Sequence, residues 1–177
     1  FIAFTGLTNI LIFFLQESLN WTTKASSGTL VVVGIIAIIV QGGLIGPLVK
    51  KFGEMRLTLI GSGFILVACS LLITAPKENA TINIYSAVSF LAIGAGLITP
   101  TLRALISKKL DVNNQGSILS NLQGLQSLGG VLGIAMAGRV YDSFGPKSPF
   151  IAGSIILIFM IYPVSYTHLR AHETRPY

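Results

Sequence analysis

Gly46-Pro47-Leu48-Val49-Lys50-Lys51-Phe52-Gly53 closes one long apolar stretch, and Gly138-Arg139-Val140-Tyr141-Asp142-Ser143-Phe144-Gly145 closes another. Each opens on Gly, carries an aliphatic residue two positions on, and ends in Phe-Gly at the same offset. Around them the chain is laid out in apolar runs at about 1–16, 28–49, 57–75, 82–106, 116–138 and 149–164. A membrane helix needs about 20 mostly apolar residues to cross a hydrocarbon core of about 30 Å. The four inner runs have that length, while the first and last are shorter. The two related segments lie three helices apart, so a chain that crosses at every run carries them on opposite sides. The reading is an all-α membrane protein of six transmembrane helices, built as a three-plus-three inverted repeat. Such a repeat is a sequence mark of secondary transporters.

Composition agrees. Of 177 residues, 52% are hydrophobic and 10% charged, and mean hydropathy is +0.77. A soluble domain carries about 25% charged residues, so this chain cannot cover a water-facing surface. The net charge of +6 is spread in short Lys/Arg clusters between apolar runs, which orient a membrane chain and do not make a nucleic-acid surface. Cys69 is the single cysteine and leaves no disulfide framework.

Loop charges set the orientation. Lys50, Lys51, Arg56, Arg103, Lys108 and Lys109 fall on one side; Lys24, Lys77, Arg139 and Lys147 fall on the other, beside Glu17, Glu78 and Asp142. The first set is expected in the cytoplasm. Arg103 is expected to snorkel to that interface.

The fifth run stands apart. At about 100° per residue, Gly116, Ser120, Gln123, Gln126, Ser127, Gly130, Gly133 and Ala137 gather on one stripe, with Ile118, Leu122, Leu125, Leu132 and Met136 opposite. A helix with a lipid face and a polar, small-residue face suits the wall of a cavity. Asn9 and Gln41 lie within the first and second runs, where a polar group in hydrocarbon needs a partner or water. Ser120, Gln123, Gln126, Ser127, Asn9 and Gln41 are therefore the substrate-cavity candidates, with interhelical hydrogen bonding an open alternative. Gly42, Gly129 and Gly133 belong to small-x-x-x-small motifs and are read as packing residues. Pro100 is read as a kink in the fourth run. The third and sixth runs, nearly all apolar, are expected to face lipid over most of their surface.

No catalytic or metal constellation lies within the runs, and no cofactor is expected. His168 and His172 are spaced as zinc ligands on a helix, but Leu169 stands where a zinc protease places its Glu. All six acids lie in loops, at helix ends or in the tail, so the residues do not decide whether protons are the coupling ion.

The segment 46–53 is similar to the loop signature of the major facilitator superfamily, Gly-x-Leu-x-Asp-Arg-x-Gly followed by basic residues. Gly46, Leu48, Lys51 and Gly53 match it; Lys50 replaces the acid, and Glu54 and Met55 replace basic residues. Asp142 holds the acid's position in the other copy, between Gly138 and Gly145. Gly94-Ala95-Gly96-Leu97-Ile98-Thr99-Pro100 and the stretch from Gln115-Gly116 to Gly129-Gly130-Val131-Leu132-Gly133 resemble the second half of tetracycline- and multidrug-efflux members. The resemblance spans 1–162 and implies the C-terminal half of a twelve-helix transporter, multi-pass in the cell membrane (the inner membrane of a bacterium). Its N-terminal six-helix half would be absent from this chain, which begins at Phe1 inside an apolar run. Its partners would be the lipid bilayer and a small-molecule substrate, moved by alternating access. Gly46, Lys51, Gly53, Gly138, Asp142 and Gly145 become loop-motif and gating candidates. Efflux of drug-like molecules, with no enzyme chemistry, is the favoured role; uptake of a metabolite or sugar, and a non-transporting structural subunit, are the alternatives. The six-helix bundle is placed at 1–163. Residues 164–177 read as a non-native tail, since VSYTHLRAHETRPY resembles translated adapter sequence.

Overall fold

The computed structural model describes the backbone of residues 2–76, 80–108 and 115–173, with side chains placed within 5–76, 80–108 and 116–161. The order is α1 (Ile2–Ser18), α2 (Thr23–Ile39), a π turn (Val40–Leu44), α3 (Ile45–Phe52), α4 (Glu54–Thr74), α5 (Thr81–Ser107), α6 (Gln115–Phe144) and α7 (Ser148–Glu173). Helix α2, the π turn and α3 run on as one rod, so the described residues form six rods and no strand. Three of them, Thr23–Phe52, Glu54–Thr74 and Thr81–Ser107, are long and apolar enough to cross a membrane.

Local chemistry explains the boundaries. The Thr22 side chain accepts from the Ala25 N–H and starts α2. Gly53 and Gly145 take φ of +78° and +91°, the region open to a residue without Cβ. They end α3 and α6 in the same way, each donating its N–H four residues back, to Val49 and Tyr141, at 2.9 Å. Several helix hydroxyls are satisfied within their own helix. Thr58, Ser62, Ser70, Ser89 and Ser154 each donate to the carbonyl one turn earlier, so they can stand in apolar surroundings without an unmet donor.

The core joins α1, α4, α5 and α7 through residues such as Leu11, Phe14, Ile65, Leu72, Ile84, Val88 and Phe150. Phe14 and Phe150 meet edge to face, their centroids 5.2 Å apart. Helices α4 and α5 close on glycine: a Cβ at Gly94 would stand 2.6 Å from the Gly61 carbonyl oxygen. A second cluster packs Val40, Leu57 and Leu97 where the π turn meets α4 and α5.

One expectation fails here. The third run was to face lipid, yet α4 buries Leu57, Gly61, Ser62, Ile65, Ala68, Cys69 and Leu72. The reason is its position between α5 and α7. Helix α7 keeps the expected face, with Ile155, Ile158 and Phe159 exposed. Its backbone continues through Pro163 to Glu173. Residues 174–177 and all side chains of the expected tail, His168 and His172 included, lie outside the described residues.

The two ends of the bundle differ in chemistry. At one, Lys50, Lys51 and the Glu54–Lys108 ion pair gather. At the other, Trp21 lies 6.0 Å from Tyr85, Tyr141 donates to Glu17, and Lys147 donates to the Ile73 carbonyl at the end of α4. A cation on the last carbonyls of a helix is favourably placed.

Candidate functional site

Helices α5 and α6 barely touch, and the space between them is a cavity of about 450 Å³. Drug-sized ligands occupy pockets of about 300–1,000 Å³. Arg103, Ala104 and Ser107 of α5 line it opposite Leu119, Leu122, Gln123 and Gln126 of α6. Pro100 places no break in α5, which is continuous from Thr81 to Ser107. It lacks the N–H that would reach the Gly96 carbonyl, and Thr101 ties the same stretch back by donating to Leu97 at 2.7 Å.

Within the cavity, the Arg103 Nη2 donates to Gln123 Oε1 at 2.8 Å and to Gln126 Oε1 at 3.2 Å. The two glutamines lie three residues apart and share a helix face, so one guanidinium nitrogen reaches both. Arg103, exposed five residues before Lys108, thus spans the gap between the two helices. Its guanidinium is held across the helix pair because two amide oxygens stand within reach.

The polar stripe of α6 divides in two. Toward the Lys108 end, Ser120, Gln123 and Ser127 are exposed, and Ser127 donates to the Gln123 carbonyl at 3.0 Å. Toward the other end, Gly129, Gly130 and Gly133 are buried. Gly133 meets Gly6 of α1, and Gly130 lies beside Thr5. One half of the stripe is a packing seam, and the other half is open.

The remaining candidates are not brought to this cavity. Asn9 donates to the Thr5 carbonyl of its own helix at 2.9 Å. Gln41 sits in the π turn, near the position a Cβ on Gly96 would take. A Cβ at Gly42, Gly46, Gly53 or Gly138 would meet nothing within 4 Å. Lys51 lies 5.3 Å from the Phe52 ring. Asp142 and Gly145 line a second cavity of about 660 Å³ at the opposite end, together with Glu17, Asn20 and Tyr141.

Arg103 is the residue that sequence reasoning left out of the site. The signal existed, because it lies within the apolar run 82–106, and an ionisable residue inside a span is a functional candidate by default.

These helices and this cavity agree with the match of a family model, that of the major facilitator superfamily, to residues 1–134. The chain belongs to that superfamily. It is therefore a member of a family of membrane transporters of small molecules. The tetracycline resistance protein, class H, of Pasteurella multocida is 27% identical over 164 residues, covering 91% of this chain and 40% of that protein. The class C protein of Escherichia coli is 25% identical, covering 73% of this chain and 32% of its own length. Multidrug resistance protein 2 of Bacillus subtilis (strain 168) is 23% identical, covering 82% and 35%. The chain thus spans two fifths or less of the length of these relatives. No solved structure matches it significantly.

Proposed function

We propose that this chain is the C-terminal six-helix half of a twelve-helix secondary transporter of the cell membrane, which exports drug-like molecules by alternating access. The observation that carries the reading is the cavity between α5 and α6. It combines apolar walls at Leu119 and Leu122 with the polar group of Arg103, Gln123 and Gln126. Such a mixture suits an amphipathic ligand. The names of the relatives, tetracycline and multidrug resistance proteins, support export over uptake.

The inverted repeat draws support from the matched helix ends at Gly53 and Gly145, which lie at opposite ends of the bundle. In this reading Gly46, Lys51, Gly53, Gly138, Asp142 and Gly145 act at the loops, and Asn9 and Gln41 stand on neighbouring walls of the path. Protons are one candidate coupling ion, and their carrier would then lie outside this chain. The bundle ends near residue 163, and 164–177 are no part of the transport path.

The test uses the full-length transporter. Gln123→Ala and Gln126→Ala are expected to change substrate range or apparent affinity, measured as transport per folded molecule. Leu125→Ala, on an exposed apolar face, is the control and leaves transport nearly unchanged. Variants that lose protein while the remainder transports normally would make both glutamines structural.

A further inference from the structure

The hydrogen-bond directions in the α5–α6 cavity restrict what it can hold. Arginine has donors only, so Gln123 and Gln126 must turn their carbonyl oxygens to it. With those acceptors engaged, each amide is left to offer chiefly its NH₂ group. The guanidinium uses one nitrogen for both contacts, and its other N–H groups remain. Neither they nor the two NH₂ groups have a hydrogen-bond partner among the described residues. What the cluster turns outward is therefore a set of donors around a positive charge.

Among the described residues, no acid pairs with Arg103. Glu54, the described acid at this end of the bundle, is engaged by Lys108. Arg103 itself is exposed in this chain, so its Nε and Nη1 N–H groups are open. With Nη2 taken by the glutamines, the Nε and Nη1 N–H groups each offer a single charge-assisted bond to a carboxylate or phosphate oxygen. Beside them, Ala104, Leu119 and Leu122 supply an apolar wall.

Resting on the transport reading above, we infer that Arg103, Gln123 and Gln126 form an anion-reading subsite. It selects small amphipathic molecules that carry a carboxylate or a similar anionic oxygen group. Gln123 and Gln126 act as positioning residues for the guanidinium as well as donors. A lipid phosphate offers the same chemistry, and the experiment separates the two sources.

The full-length transporter is placed in nanodiscs of phosphatidylcholine alone, and binding of two xanthene dyes is followed by fluorescence polarisation. Fluorescein carries a carboxylate; rhodamine 6G is an esterified cation on a related ring system. Arg103→Gln is expected to weaken fluorescein at least about tenfold, the loss of a charge-assisted pair, and to leave rhodamine 6G unchanged or tighter. Arg103→Lys keeps the charge without the Nε and Nη1 donors and falls between. Size-exclusion profiles of both variants report folding, and an Arg103→Gln protein that fails to fold leaves the Arg103→Lys comparison to decide.

A wild-type protein that does not bind fluorescein overturns the inference. So does an equal loss for both dyes, although the transport reading then stands, since the cavity would bind drugs without reading charge. If changes at Arg103, Gln123 and Gln126 affect neither dye, the cavity assignment falls together with the inference. In discs containing phosphatidylglycerol, retention of that lipid abolished by Arg103→Gln, with fluorescein insensitive, would make the anion a lipid headgroup and overturn the small-molecule subsite.

Discussion

Gly6 of α1 and Gly133 of α6 meet backbone to backbone: a Cβ on Gly6 would stand 2.7 Å from the Gly133 carbonyl oxygen. No flexible side chain lies there to move aside, so the helices themselves must part. Gly6→Ala is expected to cost about 1–3 kcal/mol through overpacking. Gly34→Ala is the contrast, since nothing lies within 4 Å of its would-be Cβ, and Ala is the better helix former by up to about 1 kcal/mol. Thermal unfolding of the full-length protein in detergent should move in opposite directions for the two. Equal shifts would mean that the α1–α6 seam opens freely.

Two buried hydroxyls make a second pair. Ser26 Oγ is buried with no hydrogen-bond partner among the described residues, whereas Thr101 Oγ1 bonds Leu97, Ile98 and Thr58. Ser26→Ala removes an unmet polar group and is expected to be neutral or stabilising by about 1 kcal/mol. Thr101→Val removes the contact across to α4 and costs about 0.6 kcal/mol, the usual worth of such a bond in a membrane interior. Unfolding in detergent reads both, and a destabilised Ser26→Ala protein would show that its hydroxyl has a partner after all.

The orientation can be read chemically. Lys51 and Lys108 are exposed at one end of the bundle, Lys24 and Lys147 at the other. Single cysteines at these positions in a Cys69→Ala background should react with an impermeant maleimide in intact cells only at 24 and 147. Cys69 is fully buried, so its removal serves to clear background labelling after permeabilisation. Labelling at 51 and 108 instead would reverse the orientation.

Removing the outer-end contact between α1 and α6 gives a fourth expectation. Tyr141 donates to Glu17 Oε2 at 2.8 Å. Tyr141→Phe keeps the ring and loses that bond, and should lower stability by about 1 kcal/mol while sparing binding of fluorescein at the opposite end. Loss of binding with stability intact would couple the two ends of the bundle.

Helix positions were legible because length and apolarity alone fix what can cross a membrane. The run at 57–75 became Glu54–Thr74, and the run at 82–106 became Thr81–Ser107. The neighbours of each helix were not legible. Lipid tails are as apolar as leucine, so the sequence of α4 reads the same whether it faces lipid or, as Ile65 and Leu72 do, the core. The stripe on α6 was legible as a face, but its division was not. Whether Gly133 packs or Gln123 stays open depends on where α1 ends its contact, which no single helix encodes. Arg103 escaped because its partners lie 20 and 23 residues away on another helix.

The π turn at Val40–Leu44 makes the rod from Thr23 to Phe52 a counted object. Such a turn holds one residue more than an α-helix would, so everything beyond it is rotated by about 100° relative to an unbroken helix. The angle between the buried face of α2, at Ser26 and Thr29, and the packed face of α3, at Leu48 and Val49, is set by that extra residue. Deleting one residue inside a helix ordinarily scrambles its register. Here, deletion of Gly42 or Gly43 would make the rod more regular while swinging Lys50 and Lys51 around its axis. Length variation at this one spot would thus re-aim the charged end of the rod without altering a single side chain.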